Sequence, residues 1–246
     1  MAAKIGTVPR ERLPDKSGSR VRRMFAEIAP RYDLLNRLLS AGVDRRWRRR
    51  TTRLVPPGEG PVLDVCTGTA DLALEYSRAG HGRVAVVGAD FCPPMLAVGR
   101  EKIRRAGAER LVRLVQADAL RLPFADASFA VVCVAFGLRN VAETDAALAE
   151  MARVCRPGGR VAVLEFALPQ SQPLRAIYGW YFHRVLPRVG QALARNRQSA
   201  YHYLPESVAA FPQFEALLER MRLAGLGRTR YYRFTFGIAT LYVGER

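Results

Sequence analysis

Lysine is nearly missing from this chain of 246 residues: only Lys4, Lys16 and Lys102 occur among 39 Lys and Arg. Cysteine is sparse as well, with four residues at 66, 92, 133 and 155. They form no Cys-x-x-Cys pair and have no histidine close by, which excludes the usual zinc spacings. No metal site is expected, and the cysteines read as reduced thiols of a cytosolic protein. Histidine is limited to His81, His183 and His202. No apolar run approaches the roughly 18 residues of a membrane-spanning helix. The stretch Met1 to Arg23 lacks the apolar core of a secretory signal. A Gly-Lys-Ser/Thr phosphate loop is absent, and only Gly68 remains of a would-be Gly-x-Gly-x-x-Gly, which weakens a dinucleotide reading.

What is abundant is arginine. The formal net charge is +17 and the pI is near 10.7. Such a balance suggests nucleic acid or an anionic membrane surface as partner. Its distribution is uneven. Residues 1–53 carry a net +10 and residues 168–246 a net +7, whereas residues 61–167 carry only +1. Hydrophobic residues make up 49% of the chain, enough for a sizeable core without disulfides.

The pattern along the chain is an alternation. Val21–Ala29 and Tyr32–Leu39 have amphipathic helical spacing, broken at Pro30. Asp44–Leu54 is a further basic stretch around Trp47, and Pro56, Pro57, Gly58 and Gly60 punctuate the chain after it. Apolar runs at Val62–Cys66, Arg83–Ala89, Val112–Gln116, Phe129–Ala135 and Arg160–Phe166 predict five strands. Helical patterns at Asp71–Ala79, Pro94–Ala106 and Glu143–Cys155 fall between them, and Arg156–Gly159 reads as a turn. A helix over about 213–224 precedes an antiparallel pair, Arg228–Phe234 and Ile238–Val243. This order implies an α/β fold, a mostly parallel sheet with helices on both faces and an antiparallel end. The expected organisation is a basic helical cap over 1–53 and a catalytic domain over 54–246. An aromatic, Arg-bearing insertion interrupts the latter at about 168–212.

In such a sheet, ligands bind beyond the carboxyl ends of the strands. Gly68 and its small neighbours let a nucleoside approach the backbone, although an ordinary strand–helix turn explains them too. Ala70 stands where a further glycine would, and its extra methyl is expected to be tolerated. Asp90, about twenty residues on, ends the second strand where a carboxylate can accept both ribose hydroxyls. Asp118 with Ala119 follows the third strand and can read an adenine amine, unless Asp118 is merely solvated. Ala135 to Asn140 closes the fourth strand with a glycine, a cation and an amide. His202 is either a proton-transfer group or a packed residue.

Taken together, these residues resemble a class I S-adenosylmethionine-dependent methyltransferase with a Rossmann-like seven-stranded sheet. More narrowly, the chain resembles the ubiquinone/menaquinone biosynthesis C-methyltransferases. Ala29-Pro30-Arg31-Tyr32-Asp33, Phe136-Gly137-Leu138-Arg139-Asn140 and Tyr203-Leu204-Pro205-Glu206-Ser207 carry the resemblance. It implies S-adenosylmethionine as cofactor, with contacts at Gly68, Thr69, Asp90, Asp118, Ala119 and Ala135. Ala135 lacks the hydroxyl some relatives have there, so only backbone contact remains.

The implied reaction adds a methyl to a ring carbon of a polyprenylated hydroquinone, in menaquinone and/or ubiquinone biosynthesis. Arg139 is the candidate for stabilising developing phenolate charge, with a structural ion pair as its alternative role. Asn140 would orient the ring, and Tyr32 and Asn36 would line a lid. A bilayer-resident acceptor turns the charge toward peripheral docking on the inner face of the cell membrane. Arg45–Arg53, with Arg48, Arg49 and Arg50 at its centre, and Leu168–Arg197 are the expected patches, and no nucleic-acid partner is expected. An RNA methyltransferase is the alternative the charge suggests, and a non-enzymatic binding module is a third. A homodimer is compatible with the sequence but not required by it.

Overall fold

The computed structural model describes residues 16–40, 42–172 and 200–246. His183, most of the expected insertion and most of the Leu168–Arg197 patch lie outside the described residues.

Seven strands form one sheet: β1 (Val62–Val65), β2 (Val86–Asp90), β3 (Val112–Gln116), β4 (Phe129–Ala135), β5 (Cys155–Phe166), β6 (Gly227–Phe234) and β7 (Ala239–Glu245). Their order is β3-β2-β1-β4-β5-β7-β6. Pairing is parallel from β3 through β5. Among the described strands only β7 is reversed, running antiparallel to both β5 and β6. The chain moves outward from β1 to β3 and then returns to place β4 on the other side of β1. That reversal opens a crevice at the carboxyl ends of β1 and β4.

Alternate residues of the inner strands face opposite ways, as the two-residue strand period requires. Val132 and Val134 join a core with Leu148 and Met151 of α6 (Thr144–Val154) and Met221 of α8 (Glu215–Leu223). Val131 and Cys133 join the opposite core with Trp47 of α3 (Val43–Leu54), Tyr76 of α4 (Asp71–Ala79) and Ile103 of α5 (Pro93–Arg105). The basic helix α3 is therefore packed into the same core as the sheet. Helices α1 (Gly18–Ile28) and α2 (Tyr32–Leu39), joined by the 3₁₀ turn Ala29–Arg31, lie against α5 through Ala29, Cys92 and Met95. The other side of α1 meets Tyr203 of α7 (Ala200–Ala210) through Met24 and Ile28.

Three expectations change in detail. The second strand begins at Val86, not Arg83, because the turn through His81 and Gly82 adopts positive φ and delays pairing with Val62. Arg156–Gly159 loops out within β5, between the pairings Phe129–Cys155 and Val131–Arg160. Residues 200–210 form a helix rather than a loose stretch, with Pro205 inside it. A proline in a helix interior removes a hydrogen bond, so it reads as a break. Here Ser207 Oγ donates to the Leu204 carbonyl at 2.9 Å, and Ser207 is fully buried.

Candidate functional site

At the carboxyl ends of β1, β2 and β4 lies a cavity of about 230 Å³. Its floor is Gly68, Asp90 and Ala135, with Asp118 and Ala119 after β3 at one side. The cap helices supply Val21, Phe25 and Tyr32 as its outer wall. Helix and sheet packing thus brings five of the six expected cofactor residues to one space.

The turn after β1 holds this shape through unusual backbone angles. Cys66, Gly68 and Ala70 have φ of 53°, 55° and 66°. The cost of Ala70 therefore lies in its left-handed backbone rather than in its methyl, and is about 1–2 kcal/mol. Gly137, at the end of β4, faces this turn so closely that a Cβ there would lie 2.4 Å from Cys66 Cβ. Glycine is what lets the two loops meet over the crevice.

Asp90 braces the turn. Its Oδ2 accepts the Gly68 N–H at 2.8 Å and its Oδ1 accepts the Cys92 N–H at 2.9 Å. Burial pushes its carboxyl above the usual carboxylate range, against the pull of those backbone donors. Each oxygen retains a lone pair, so the group can still accept hydroxyl protons from a ligand in the cavity. Asp118 is exposed, and its Oδ1 accepts the Leu120 N–H at 2.9 Å.

Thr69 takes a different position from the expected one. It is buried, does not line the cavity, and donates its hydroxyl to Asp33 Oδ1 at 2.6 Å. Lys102 Nζ donates to the same hydroxyl at 3.1 Å, and sits 2.7 Å from Asp33 Oδ2 and 2.5 Å from Asp71 Oδ1. Its hydroxyl is thus spent on tying α2 to the turn.

Arg139 and Asn140 share the 3₁₀ turn Leu138–Asn140 but face different partners. Arg139 is absent from the cavity wall. Its Nη1 lies 2.9 Å from Glu165 Oε2 and donates to the Phe136 carbonyl, and its guanidinium lies 5.3 Å from the Phe166 ring centre. Glu165 is fully buried at the end of β5, so the charge of Arg139 is already answered. Asn140 does line the cavity. Its Nδ2 donates to Phe136 O at 3.3 Å, while its Oδ1 is buried without a hydrogen-bond partner among the described residues. His202 falls in α7, but its side chain lies outside the described residues. His81 is exposed in a surface turn.

Several side chains escaped sequence reasoning. Arg48, in the middle of the arginine run, is 7% exposed, pairs with Asp44 and stands 5.6 Å over the Phe136 ring. It is no part of a docking patch, because burial and pairing remove it from the surface. Its i,i+4 spacing from Asp44 is the signal that marked it. Asp64 in β1 is fully enclosed, accepts from Thr67 Oγ1 at 2.6 Å and the Ala73 N–H at 3.1 Å, and burial raises its pKa to about 7. Lys16 reaches the cavity from the start of α1, where burial lowers its pKa.

This arrangement suits a nucleoside with a hydroxylated sugar. A glycine turn allows backbone approach, Asp90 offers acceptors, and the apolar walls of Phe91, Met95 and Leu122 can cover a purine. Asp90, Gly68, Asp118 and Ala119 are the residues that would hold S-adenosylmethionine.

Comparison with known proteins agrees with the geometry. Residues 14–246 match the ubiE/COQ5 methyltransferase family. A demethylmenaquinone methyltransferase of Thermus thermophilus is 52% identical over 224 residues, covering 91% of this chain and 100% of that one. One from Deinococcus radiodurans is 51% identical and covers 93% of both chains. A ubiquinone/menaquinone biosynthesis C-methyltransferase of Geobacter sulfurreducens is 47% identical, covering 96% of this chain and 91% of its own. Among solved structures, an S-adenosylmethionine-dependent methyltransferase from Thermotoga maritima shares the fold, with a TM-score of 0.63 at 16% identity. The match covers 92% of this chain and 99% of that one. The chain is an S-adenosylmethionine-dependent methyltransferase, and it belongs to the ubiE/COQ5 methyltransferase family.

Proposed function

We propose that the enzyme methylates a ring carbon of a polyprenylated hydroquinone, converting demethylmenaquinol to menaquinol and/or methylating the matching ubiquinol precursor. The observation that carries this reading is Asn140, which lines the cavity and whose amide oxygen has no donor among the described residues. A hydroquinone hydroxyl is such a donor, and its flat ring suits the neighbouring Phe25 and Phe136. The names of the Thermus and Deinococcus relatives support the demethylmenaquinol branch, and that of the Geobacter relative keeps the other open.

S-adenosylmethionine, when bound, supplies an electrophilic methyl on a sulfonium. The chain's own residues align and shield the acceptor. Asn140 accepts from a ring hydroxyl and fixes which carbon faces the methyl, a gain from orientation. The hydroxyl next to the reacting carbon, which Asn140 does not hold, loses its proton to a water and loads charge onto that carbon. The proton on the carbon itself leaves to water once the new carbon–carbon bond has formed. Arg139 acts indirectly, holding the turn that carries Asn140 through Glu165 and the Phe136 carbonyl. Val21, Phe25 and Tyr32 of the cap exclude water. Burial raises the Tyr32 pKa, so its phenol stays protonated and can donate.

An acceptor with an isoprenoid tail lives in a bilayer, so the enzyme works docked at the inner face of the cell membrane. No described helix is long and apolar enough to cross one. The RNA methyltransferase alternative rests on charge alone. Radiolabelled S-adenosylmethionine offered with a reduced demethylmenaquinone and with total RNA tests the choice. Label in the quinone ring is expected; label in RNA, or none in quinone, overturns the reading.

A further inference from the structure

The arginines of α3 do not share one fate. Arg45, Arg46, Arg49, Arg50 and Arg53 are exposed, whereas Asp44, Trp47, Arg48 and Thr51 are buried. At 3.6 residues per turn the five exposed positions spread over one continuous face. Arg45, Arg46 and Arg53 carry no ion pair among the described residues, and Arg49 meets only Glu75, at 3.6 Å. The helix is fastened to a second element. Trp47 Nε1 donates to Thr235 Oγ1 at 2.8 Å, and the Arg50 guanidinium lies 4.7 Å from the Phe234 ring centre. Thr235 opens the short 3₁₀ turn between β6 and β7, and the next residue is Phe236.

Phe236 is 79% exposed and has φ of 56°, an unfavourable angle for a bulky residue. Water is thus met by a large apolar ring on a strained turn, two residues past the Phe234 ring that Arg50 covers. The turn also stands at the catalytic rim. Ala239 pairs with Phe166 at the carboxyl end of β5, and the Ala167 N–H donates to Ile238 O at 3.0 Å. From there an aromatic wall leads inward. The Phe166 ring lies 6.1 Å from Trp47 and 4.5 Å from Phe136, which lines the cavity.

We propose that this rim is the bilayer-docking face, with Phe236 entering the headgroup region of an anionic membrane while Arg45, Arg46 and Arg50 of α3 meet its phosphates. The combination matches such a surface in both respects: cations near anionic lipid add attraction, and an aromatic side chain is favoured at the interface. The orientation turns the catalytic rim toward the membrane, the side from which an isoprenoid tail reaches the cavity. The inference rests on the reading that the acceptor is prenylated.

The test is cosedimentation with vesicles of phosphatidylglycerol and phosphatidylcholine, and with vesicles of phosphatidylcholine alone, at low and high salt. Phe236→Ser is expected to weaken partition to the anionic vesicles about tenfold, the loss of one buried aromatic. Phe236→Trp is expected to retain binding, with a blue shift of fluorescence on the anionic vesicles only. Arg45→Glu with Arg46→Glu and Arg50→Glu is expected to abolish binding, and high salt to weaken that of the parent. Unchanged binding of Phe236→Ser overturns the proposal, as does a charge-reversed triple variant that loses RNA affinity but keeps lipid. Turnover of a short-tailed, water-soluble quinol is measured in parallel. Its absence in the parent enzyme refutes the acceptor reading, while the vesicle result still decides the docking face.

Discussion

The Thr69 hydroxyl donates to the Asp33 carboxylate across 2.6 Å and so joins the cofactor turn to the second helix of the cap. Lys102 completes the join, with its ammonium close to Asp33, Asp71 and Thr69 at once. Because Asp33 adjoins Tyr32 in the chain, this cluster sets where the outer wall of the cavity stands.

Replacing Lys102 by Met therefore leaves two carboxylates facing each other without their shared cation. The side chains are partly exposed, so the expected loss is about 1–2 kcal/mol, read from the urea midpoint at unchanged slope. Affinity for S-adenosylhomocysteine should fall as well, because the cap loosens over the site. A second substitution, Asp33→Asn, should cost less in the Lys102→Met background than alone. Additive losses would show that the cluster does not act as a unit.

Asp64 predicts a pH dependence of stability. Burial raises its folded pKa to about 7, from an ordinary 3.8. The folded state holds that proton more tightly, so the stability it contributes is full below about 4 and fades as pH rises through 7. Asp64→Asn mimics the protonated acid and keeps an acceptor for Thr67 and Ala73. Its stability relative to the parent should improve as pH rises from about 4 to about 7, the window set by burial, and level off above it. Parallel stability curves over that range would refute the assignment.

The strands were legible because inner parallel strands bury both faces and read as apolar runs. Asp90, Asp118 and Asn140 were legible because strand ends in this topology mark the ligand crevice. The partners were not. Asp33 and Thr69 meet only because α1 and α2 fold back over α5. Glu165 reaches Arg139 only because β5 lies beside β4. Nothing in local spacing reports such adjacency. The run of arginines hid Arg48 for another reason: composition counts charges without showing which of them the core has taken.

Glu165→Gln separates the two roles open to Arg139. The pair is buried, with side-chain exposures of 9% and 0%, and breaking such a pair costs about 3–5 kcal/mol. If the guanidinium only positions the turn, turnover should fall while the pH profile keeps its shape. If it neutralises a phenolate, freeing it from Glu165 should preserve turnover or raise it, and Arg139→Lys should keep most of the rate. Rapid kinetics on both variants, with urea midpoints measured alongside, decides between them.

Asn140 offers the opposite trade. Its Oδ1 is buried and unpartnered among the described residues, and its Nδ2 makes a long bond of 3.3 Å. An orphaned polar atom of this kind costs about 1–3 kcal/mol unless a ligand completes it. Asn140→Leu keeps the approximate shape and removes the orphan. The variant is expected to melt about 2–4 °C higher, the shift for about 1 kcal/mol in a protein of this size. Methyl transfer to the quinol should fall about tenfold or more, the loss of one orienting hydrogen bond to the acceptor. Binding of S-adenosylhomocysteine should hardly change, since that ligand is assigned to Asp90 and the turn after β1. Lower stability with full activity would mean that the amide serves the fold and that the acceptor contact lies elsewhere. Higher stability with lost turnover would mark Asn140 as a polar group retained for the acceptor at the expense of the apolar wall around it.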